Sequence, residues 1–179
     1  EDLIITKVND HEIEGLRRSH GWAWDQDVYF VAQFSKPFKY FEIAKNDTLL
    51  GNQTTGRGKN IKAVATFSTN EKEAVLIKVG ISAVSCEGAR MNLLAEVPDW
   101  NFDEVAGLAR KAWNKELSRI EVSGGTKNDI IQFYTSMYRI CISPNLFMDV
   151  DCHYRGVDHQ VHLAKGFEIP VVHVNADDP

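Results

Sequence analysis

The strongest constraint on the fold is a change in the spacing of apolar residues near residue 85. Before that point apolar and polar side chains alternate over short segments such as Val28–Phe34, and a period of two is typical of β-strands. After it, apolar residues recur every three to four positions, which indicates helices. Because runs of strands followed by runs of helices indicate separate layers or domains, we expect a sheet first and a helical part second.

The strand-like part extends over residues 1–84 and contains four clear segments. They are rich in β-branched and aromatic residues and comprise Val28–Phe34, Tyr40–Ala44, Ile61–Phe67 and Ala74–Val79. Polar turn sequences separate them, notably Lys45–Asp47 and Gly51–Gly58. Several strands joined by polar turns, with no helical pattern among them, predict an antiparallel β-sandwich.

Three helices are expected after residue 85. The first covers Cys86–Glu96 and ends before a proline. The second and third begin at capping boxes, in which Asn101 is followed by Glu104 and Thr126 by Asp129 three residues later. We interpret residues 85–124 as linker helices and residues 125–167 as the start of a helical domain. A single long helix after a linker cannot bury its own apolar face, so we expect this domain to be truncated in the chain.

Composition excludes several classes of protein. A net charge of −5 and a pI near 5.7 argue against nucleic-acid binding, and 44% apolar residues argue against disorder. No apolar run approaches the roughly 20 residues that span a bilayer, and the acidic start Glu1–Leu3 has no signal-peptide pattern. Cys86, Cys141 and Cys152 lack metal or redox spacing and are expected to be buried or half-buried thiols.

The most site-like segment is the polar run from Asp149 to Asp158. Three carboxylates, a histidine, a tyrosine and an arginine lie within ten residues, in a loop that follows the third helix. The carboxylates of Asp149, Asp151 and Asp158 are oxygen ligands of the kind that calcium takes, although the spacing is not that of an EF-hand. The alternative is structural: Arg155 pairs with one of the aspartates and orients the loop. We favour the structural role.

Two other groups of residues have a functional and a structural interpretation. His153, His159 and His162 are close in sequence, but their spacing does not supply a closed tetrahedral zinc site, so we expect loop histidines. Trp22 and Trp24, with a tyrosine nearby, are able to stack on a sugar. Their alternation with the apolar residues of the following strand favours packing in the sandwich core.

A resemblance to a known family rests on longer strings. In order along residues 3–167, the matching segments are Ile13–Phe30, Phe34–Phe38, Lys78–Ser85, Asn92–Asp103, Ala112–Leu117, Ile120–Thr126, Phe133–Thr135, Ser143–Phe147 and Asp149–Asp158. The chain resembles glycoside hydrolase family 92. The resemblance implies a mainly β fold with α: an antiparallel β-sandwich, linker helices and the truncated start of an (α/α)6 barrel.

The resemblance also implies a function. Family members are exo-acting, calcium-dependent, inverting α-mannosidases that act on mannose-containing glycans, and they are periplasmic or secreted proteins of bacteria. Their catalytic carboxylates come from deep in the barrel, so we expect no catalytic residue here and no hydrolysis by the chain alone. Calcium is expected in the complete enzyme, with no ligand assignable in these residues. The alternative is a non-catalytic β-sandwich module that binds carbohydrate or packs against a partner.

The polar cluster both follows and departs from the family pattern Asp-Val-Asp-Gly-Arg-Tyr-Arg-Gly-x-Asp-Gly. Six residues match the pattern: Asp149, Asp151, Tyr154, Arg155, Gly156 and Asp158. All of them except Gly156 are candidates for binding substrate or shaping the loop. Cys152 and His159 replace glycines, which we expect to alter the loop because only glycine adopts positive φ freely. The tail at 168–179 is atypical, and His173–Pro179 resembles a short string in the E1 component of 2-oxoglutarate dehydrogenase.

Overall fold

The structure is a computed structural model that describes residues 2–21, 25–142 and 145–168. The chain forms two compact units, one from Glu1–Trp100 with Met148–Phe167 and one from Asn101–Phe147 with Glu168–Pro179. In chain order the elements of the first unit are β1 (Asp2–Asn9), β2 (Glu12–Ser19), β3 (Gln26–Phe34), β4 (Tyr40–Lys45), β5 (Thr48–Leu49), β6 (Thr55–Gly58), β7 (Ile61–Thr66), β8 (Ile77–Ser82), α1 (Cys86–Glu96), β9 (His153–Arg155) and β10 (Val161–Leu163).

All strand pairs are antiparallel, as predicted. One sheet has the order β6-β1-β2-β3-β8, a second has the order β5-β4-β7, and β9 pairs with β10 in a short hairpin. Three of the four predicted strands correspond to β3, β4 and β7, whereas the fourth begins at Ile77 and not at Ala74. The first two strands had no alternating pattern to mark them individually. Both strands are largely half-buried and carry charged residues, so pairing with the neighbouring strands identifies them more clearly than their own sequence does.

The five-stranded sheet is covered on both faces at β3. Val31 is fully buried against Ala89 and Leu93 of α1. The next residue, Ala32, points the other way and joins an aromatic cluster with Phe34, which includes the edge-to-face pair of Phe34 and Phe38. Neighbouring positions of one strand therefore contribute to two separate cores, and α1 is a layer of this unit.

A glycine allows α1 to lie close to β8. A Cβ built on Gly80 would be 2.1 Å from the carbonyl oxygen of Ala89 and 2.7 Å from Cβ of Leu93. Any larger residue would push the helix away from the sheet. Burial along β8 is therefore the opposite of what the apolar residues alone would suggest. Lys78, Gly80 and Ser82 are buried under the helix, and the apolar residues between them are exposed.

The second unit contains α2 (Phe102–Leu117) and α3 (Lys127–Cys141). The capping box of Thr126 and Asp129 is present as predicted. At the start of α2 only half of the predicted capping box forms. The Asn101 side chain accepts from the backbone N–H of Glu104, as expected. The Glu104 carboxylate, however, accepts from the side-chain amide of Asn101 and not from its backbone N–H. No described residue of either helix is buried. Cys141 is exposed, so the prediction of a buried or half-buried thiol was wrong at this position.

Candidate functional site

The polar cluster lies in the first unit, where the chain turns into the β9–β10 hairpin. The turn is closed by two backbone bonds: the Asp149 N–H donates to the His153 carbonyl and the Cys152 N–H donates to the Asp149 carbonyl, both at 2.8 Å. The Ala164 N–H also donates to the Cys152 carbonyl at 2.9 Å. Backbone bonds thus tie the segment to itself at both strands of the hairpin.

Asp149 is the buried member of the cluster, with 4% of its surface exposed. The hydroxyl of Ser82 donates to its Oδ2 at 2.6 Å, and Nδ2 of Asn92 donates to its Oδ1 at 2.8 Å. A Cβ on Gly88 would lie 2.2 Å from the same Oδ2, so the first turn of α1 closes over the carboxylate. Both oxygens of Asp149 accept hydrogen bonds inside the protein, which makes this residue an anchor of the segment in the structure.

Two residues that sequence reasoning did not single out complete this anchor. Asn92 also donates to the Ile81 carbonyl at 2.9 Å and accepts from the Val150 N–H at 2.8 Å, so one side chain connects β8, α1 and the cluster. The Ser82 hydroxyl accepts from the Val84 N–H at 2.8 Å. The available signal was the period of β8, which places Ser82 on the same face as Gly80, where α1 packs.

The other two aspartates are paired with nearby histidines. Nδ1 of His153 lies 2.9 Å from Oδ2 of Asp151, and the His153 N–H donates to Oδ1 at 3.1 Å. Burial opposes ionisation of Asp151, but the hydrogen bonds from His153 outweigh it and the pKa of Asp151 is lowered. The hydrogen bond from His162, with Nε2 2.9 Å from Oδ2, lowers the pKa of Asp158. Both carboxyls are therefore held in the ionised form.

Tyr154 and Arg155 point to different neighbours. The ring of Tyr154 packs on the ring of His162, with centroids 5.6 Å apart. Arg155 donates from Nε to the Ala83 carbonyl at 2.8 Å and from a terminal nitrogen to the His159 carbonyl at 3.0 Å. Its guanidinium links the end of β8 to the turn of the hairpin.

The carboxylate nearest to Arg155 belongs to β3 and not to the cluster. Its guanidinium is 3.8 Å from Oδ2 of Asp27, a buried residue that Arg18 binds through two bonds of 2.7 and 2.9 Å. The hydrogen bond from Arg18 lowers the pKa of Asp27. Pairing of Arg155 with Asp149, Asp151 or Asp158 was expected, and no such pair occurs among the described residues. The reason is that Asp149 is enclosed by β8 and α1, and histidines close in sequence already bind the other two aspartates.

The two positions where glycines were expected both have positive φ, 69° at Cys152 and 61° at His159. The loop therefore has a left-handed backbone at two residues that carry side chains. Such a conformation costs a non-glycine residue about 1 kcal/mol. At both positions a residue with a side chain therefore occupies a backbone conformation that favours glycine, and strain is expected in the loop.

The described residues do not fit the calcium ion that the resemblance implies. Calcium takes six to eight oxygen ligands, and no group of three or more His, Cys, Asp or Glu in the described part of the chain is placed to hold a metal ion. The three cluster aspartates bind separate partners, as do the histidines. The described residues bring together neither calcium ligands nor a zinc set from His153, His159 and His162.

Two sequence hypotheses lie outside the described residues: the stacking or packing of Trp22 and Trp24, and the atypical tail from residue 169 onward. Tyr29, their neighbour, is half-buried on β3. Within the described ranges, no helix has the length and apolarity needed to cross a membrane.

Comparison with known proteins gives a consistent result. A curated relative, an "uncharacterized secreted glycosidase" of Arthroderma benhamiae, is 35% identical over 81 residues, which are 43% of this chain and 10% of the relative. A family GH92 alpha-mannosidase structure from Bacteroides thetaiotaomicron is 32% identical, with a TM-score of 0.88 over 95% of this chain and 24% of its own. An inverting mannosidase structure of that family and organism is 28% identical, with a TM-score of 0.84 over 94% and 24%.

The chain thus spans about a quarter of the length of these solved mannosidases and a tenth of the curated relative. The likeness confirms the predicted fold class, a β-sandwich followed by the start of a helical domain. Glycosyl hydrolase family 92 has models for an N-terminal and a catalytic domain, which match residues 2–82 and 88–170. The two matches cover most of the sequence, with the N-terminal domain before the catalytic domain. The chain therefore belongs to glycoside hydrolase family 92.

Proposed function

We propose that the chain is part of an inverting exo-α-mannosidase that removes terminal, α-1,2-linked mannose from glycans. The observation that carries the proposal is the similarity over 95% of the chain to a solved alpha-mannosidase of the same family. A second similar structure, described as an inverting mannosidase, supports the stereochemistry. Export from the cytoplasm is part of the proposal, supported by the curated relative described as secreted.

The same proposal assigns proton transfer to residues outside this sequence. Inversion needs a protonated carboxyl that donates to the leaving oxygen and a second carboxylate that activates water. Asp151 and Asp158 have lowered pKa values and are ionised near neutral pH, so neither suits the role of general acid. Asp149 is enclosed by protein and offers no free oxygen to a sugar. We therefore expect the 179-residue chain alone to leave α-mannosides intact.

Within the enzyme, the cluster has the role of shaping a loop. Asp149 binds β8 and α1, and Arg155 binds the end of β8 and the hairpin turn. These contacts hold the more exposed Asp151, Tyr154 and Asp158 on a fixed backbone, where a contact with substrate remains open to them. For the complete enzyme we propose a bound calcium ion, whose ligands the described residues do not supply.

The complete polypeptide, obtained by extending the gene beyond this sequence, gives the test. It is incubated with α-1,2-linked mannobiose and the anomeric protons of the product are followed by NMR. The proposal predicts that β-mannose forms first and then mutarotates. First release of α-mannose would contradict inversion, and cleavage of other glycosides without cleavage of α-mannosides would contradict the substrate class.

A further inference from the structure

A carboxylate of the five-stranded sheet lies against the hairpin that carries the polar cluster. Asp27 is on β3, and 7% of its side chain is exposed. Its Oδ2 is 3.8 Å from Nη2 of Arg155, whose other guanidinium nitrogens donate to the carbonyls of Ala83 and His159. All these residues lie in the first unit. Asp27 falls in the match to the N-terminal domain and Arg155 in the match to the catalytic domain, so the pair joins two family domains.

The carboxylate of Asp27 is itself fixed by the sheet. Arg18 is its direct partner across β2 and β3 and donates two hydrogen bonds to it, of 2.7 and 2.9 Å. Bidentate pairing of this kind fixes the orientation of both side chains. Asp27 therefore presents Oδ2 to Arg155 from a rigid position, and it cannot turn away without breaking its bonds to Arg18.

Arg155 depends on this carboxylate because its charge is largely withdrawn from water. Its side chain is 19% exposed, and a guanidinium stays ionised at every pH at which proteins ordinarily fold. A charge in such surroundings is destabilising unless an opposite charge lies close to it. Among the described residues, Asp27 is the ion-pair partner of Arg155. Without the negative charge of Asp27, the guanidinium is held by two neutral carbonyls alone, and the hairpin bonded to it is free to shift.

We propose that Asp27 is a positioning residue of the mannosidase, which holds the β9–β10 hairpin in place for substrate by acting through Arg155. This inference rests on the proposed function. Asp27 fixes the guanidinium, and the guanidinium fixes the backbone at the end of β8 and at the hairpin turn. That backbone carries Asp151, Tyr154 and Asp158, the side chains that the proposed function leaves available to substrate. The N-terminal domain thereby contributes to substrate binding without taking part in proton transfer.

Hydrogen exchange on the 179-residue chain tests the contact with the hairpin. Asp27→Asn keeps the size of the side chain and removes the charge that faces Arg155. The N–H groups of Gly156 and His159 close the hairpin turn through bonds of 2.9 and 3.0 Å. In Asp27→Asn they are expected to exchange at least about threefold faster near neutral pH, while the N–H groups of β4 and β7 do not change.

Glu73→Gln is the matched control for the loss of a carboxylate charge. Glu73 is half-buried, and its partners among the described residues are Lys36, at 2.6 Å, and Asn70. The substitution removes one charge from an ion pair of the same unit without touching the hairpin. It is expected to leave the exchange of the Gly156 and His159 N–H groups unchanged.

Steady-state kinetics of the complete enzyme test the consequence for the reaction. Asp27→Asn is expected to raise KM for α-1,2-linked mannobiose by about three- to tenfold, the loss of about one hydrogen bond to the sugar, and to change kcat by less than about twofold. A substitution that only destabilises the fold would instead lower the active fraction, and hence kcat, at an unchanged KM. Asp27→Glu retains the charge and is expected to recover part of the lost affinity. Glu73→Gln should leave both constants unchanged.

A double substitution shows whether Asp27 acts through Arg155. Arg155→Gln is expected to raise KM at least as much as Asp27→Asn, and adding Asp27→Asn to it should raise KM no further. Arg155→Lys takes its place if Arg155→Gln does not fold. Effects on KM that multiply in the double variant overturn the proposal, as does an unchanged KM or unchanged hairpin exchange in Asp27→Asn. A complete enzyme that leaves α-mannosides intact would refute the proposed function, and the exchange experiment would still decide whether Asp27 holds the hairpin.

Discussion

Gly88→Ala tests whether Asp149 anchors the polar cluster to α1. A methyl group at this position would lie 2.2 Å from Oδ2 of Asp149 and 2.8 Å from the hydroxyl of Ser82. Both distances are below the 3.0 Å that Cβ contacts in proteins keep, and the Ser82 hydroxyl donates a hydrogen bond of 2.6 Å to the Asp149 carboxylate. The carboxylate, the hydroxyl or the helix must therefore move.

The expected size of the effect follows from what such a movement breaks. A hydrogen bond to a charged group contributes about 1.5–3 kcal/mol, and moving Asp149 loses at least its bond to Ser82. Replacing a helical glycine by alanine returns about 1 kcal/mol in helix propensity. We expect a net loss of about 0.5–2 kcal/mol in the free energy of unfolding of the sheet unit.

Urea unfolding followed by circular dichroism measures the loss, and hydrogen exchange assigns it to α1 or α2. The matched control is Gly107→Ala in α2, where the new methyl group meets nothing within 4 Å; it is expected to stabilise by about 0.5–1 kcal/mol. In an Asp149→Ala background Gly88→Ala should cost much less, because the clashing carboxylate is absent. Equal losses in both backgrounds, or stabilisation of the wild type by Gly88→Ala, would refute the anchor.

Three further predictions use the same unit. His159→Gly relieves a residue at a φ of 61° and is expected to raise the free energy of unfolding by about 1 kcal/mol; a loss in urea unfolding would argue against strain there. Asp27 has a lowered pKa, so its bond to Arg18 stabilises the fold above the ordinary aspartate pKa and is lost as pH falls through the folded pKa. Asp27→Asn should therefore reduce stability at about pH 7 and much less at about pH 2, and an equal loss at both would contradict the linkage. A calcium chelator is expected to leave the melting temperature of the chain unchanged, and a drop would reveal a bound ion.

Much of the fold was predictable because it depends on local signals. The bounds of α1 follow from an apolar pattern stopped before Pro98, and the start of α3 follows from the capping box of Thr126 and Asp129. The glycine positions of the family pattern indicated where the loop needs positive φ, although Cys152 and His159 adopt it without being glycines.

The contacts of the candidate site were not predictable in the same way. Asp149 binds Ser82 and Asn92, which are 67 and 57 residues away, and no local pattern specifies those pairs. Arg155 was expected to bind an aspartate nearby, but the fold brings it to Asp27 on β3. The burial of Lys78 in a strand that contains Ile77 and Val79 also depends on α1, whose packing decides which face of β8 is covered.

The most direct test of the central claim, that the polar cluster shapes a loop and does not transfer protons, is an assay of the 179-residue chain itself. The chain is incubated with an α-1,2-linked mannoside and calcium near neutral pH, and released mannose is measured against a blank without protein. The account predicts no release above the blank. Release that Asp151→Asn or Asp158→Asn abolishes, with the fold intact, would contradict it and assign proton transfer to the cluster.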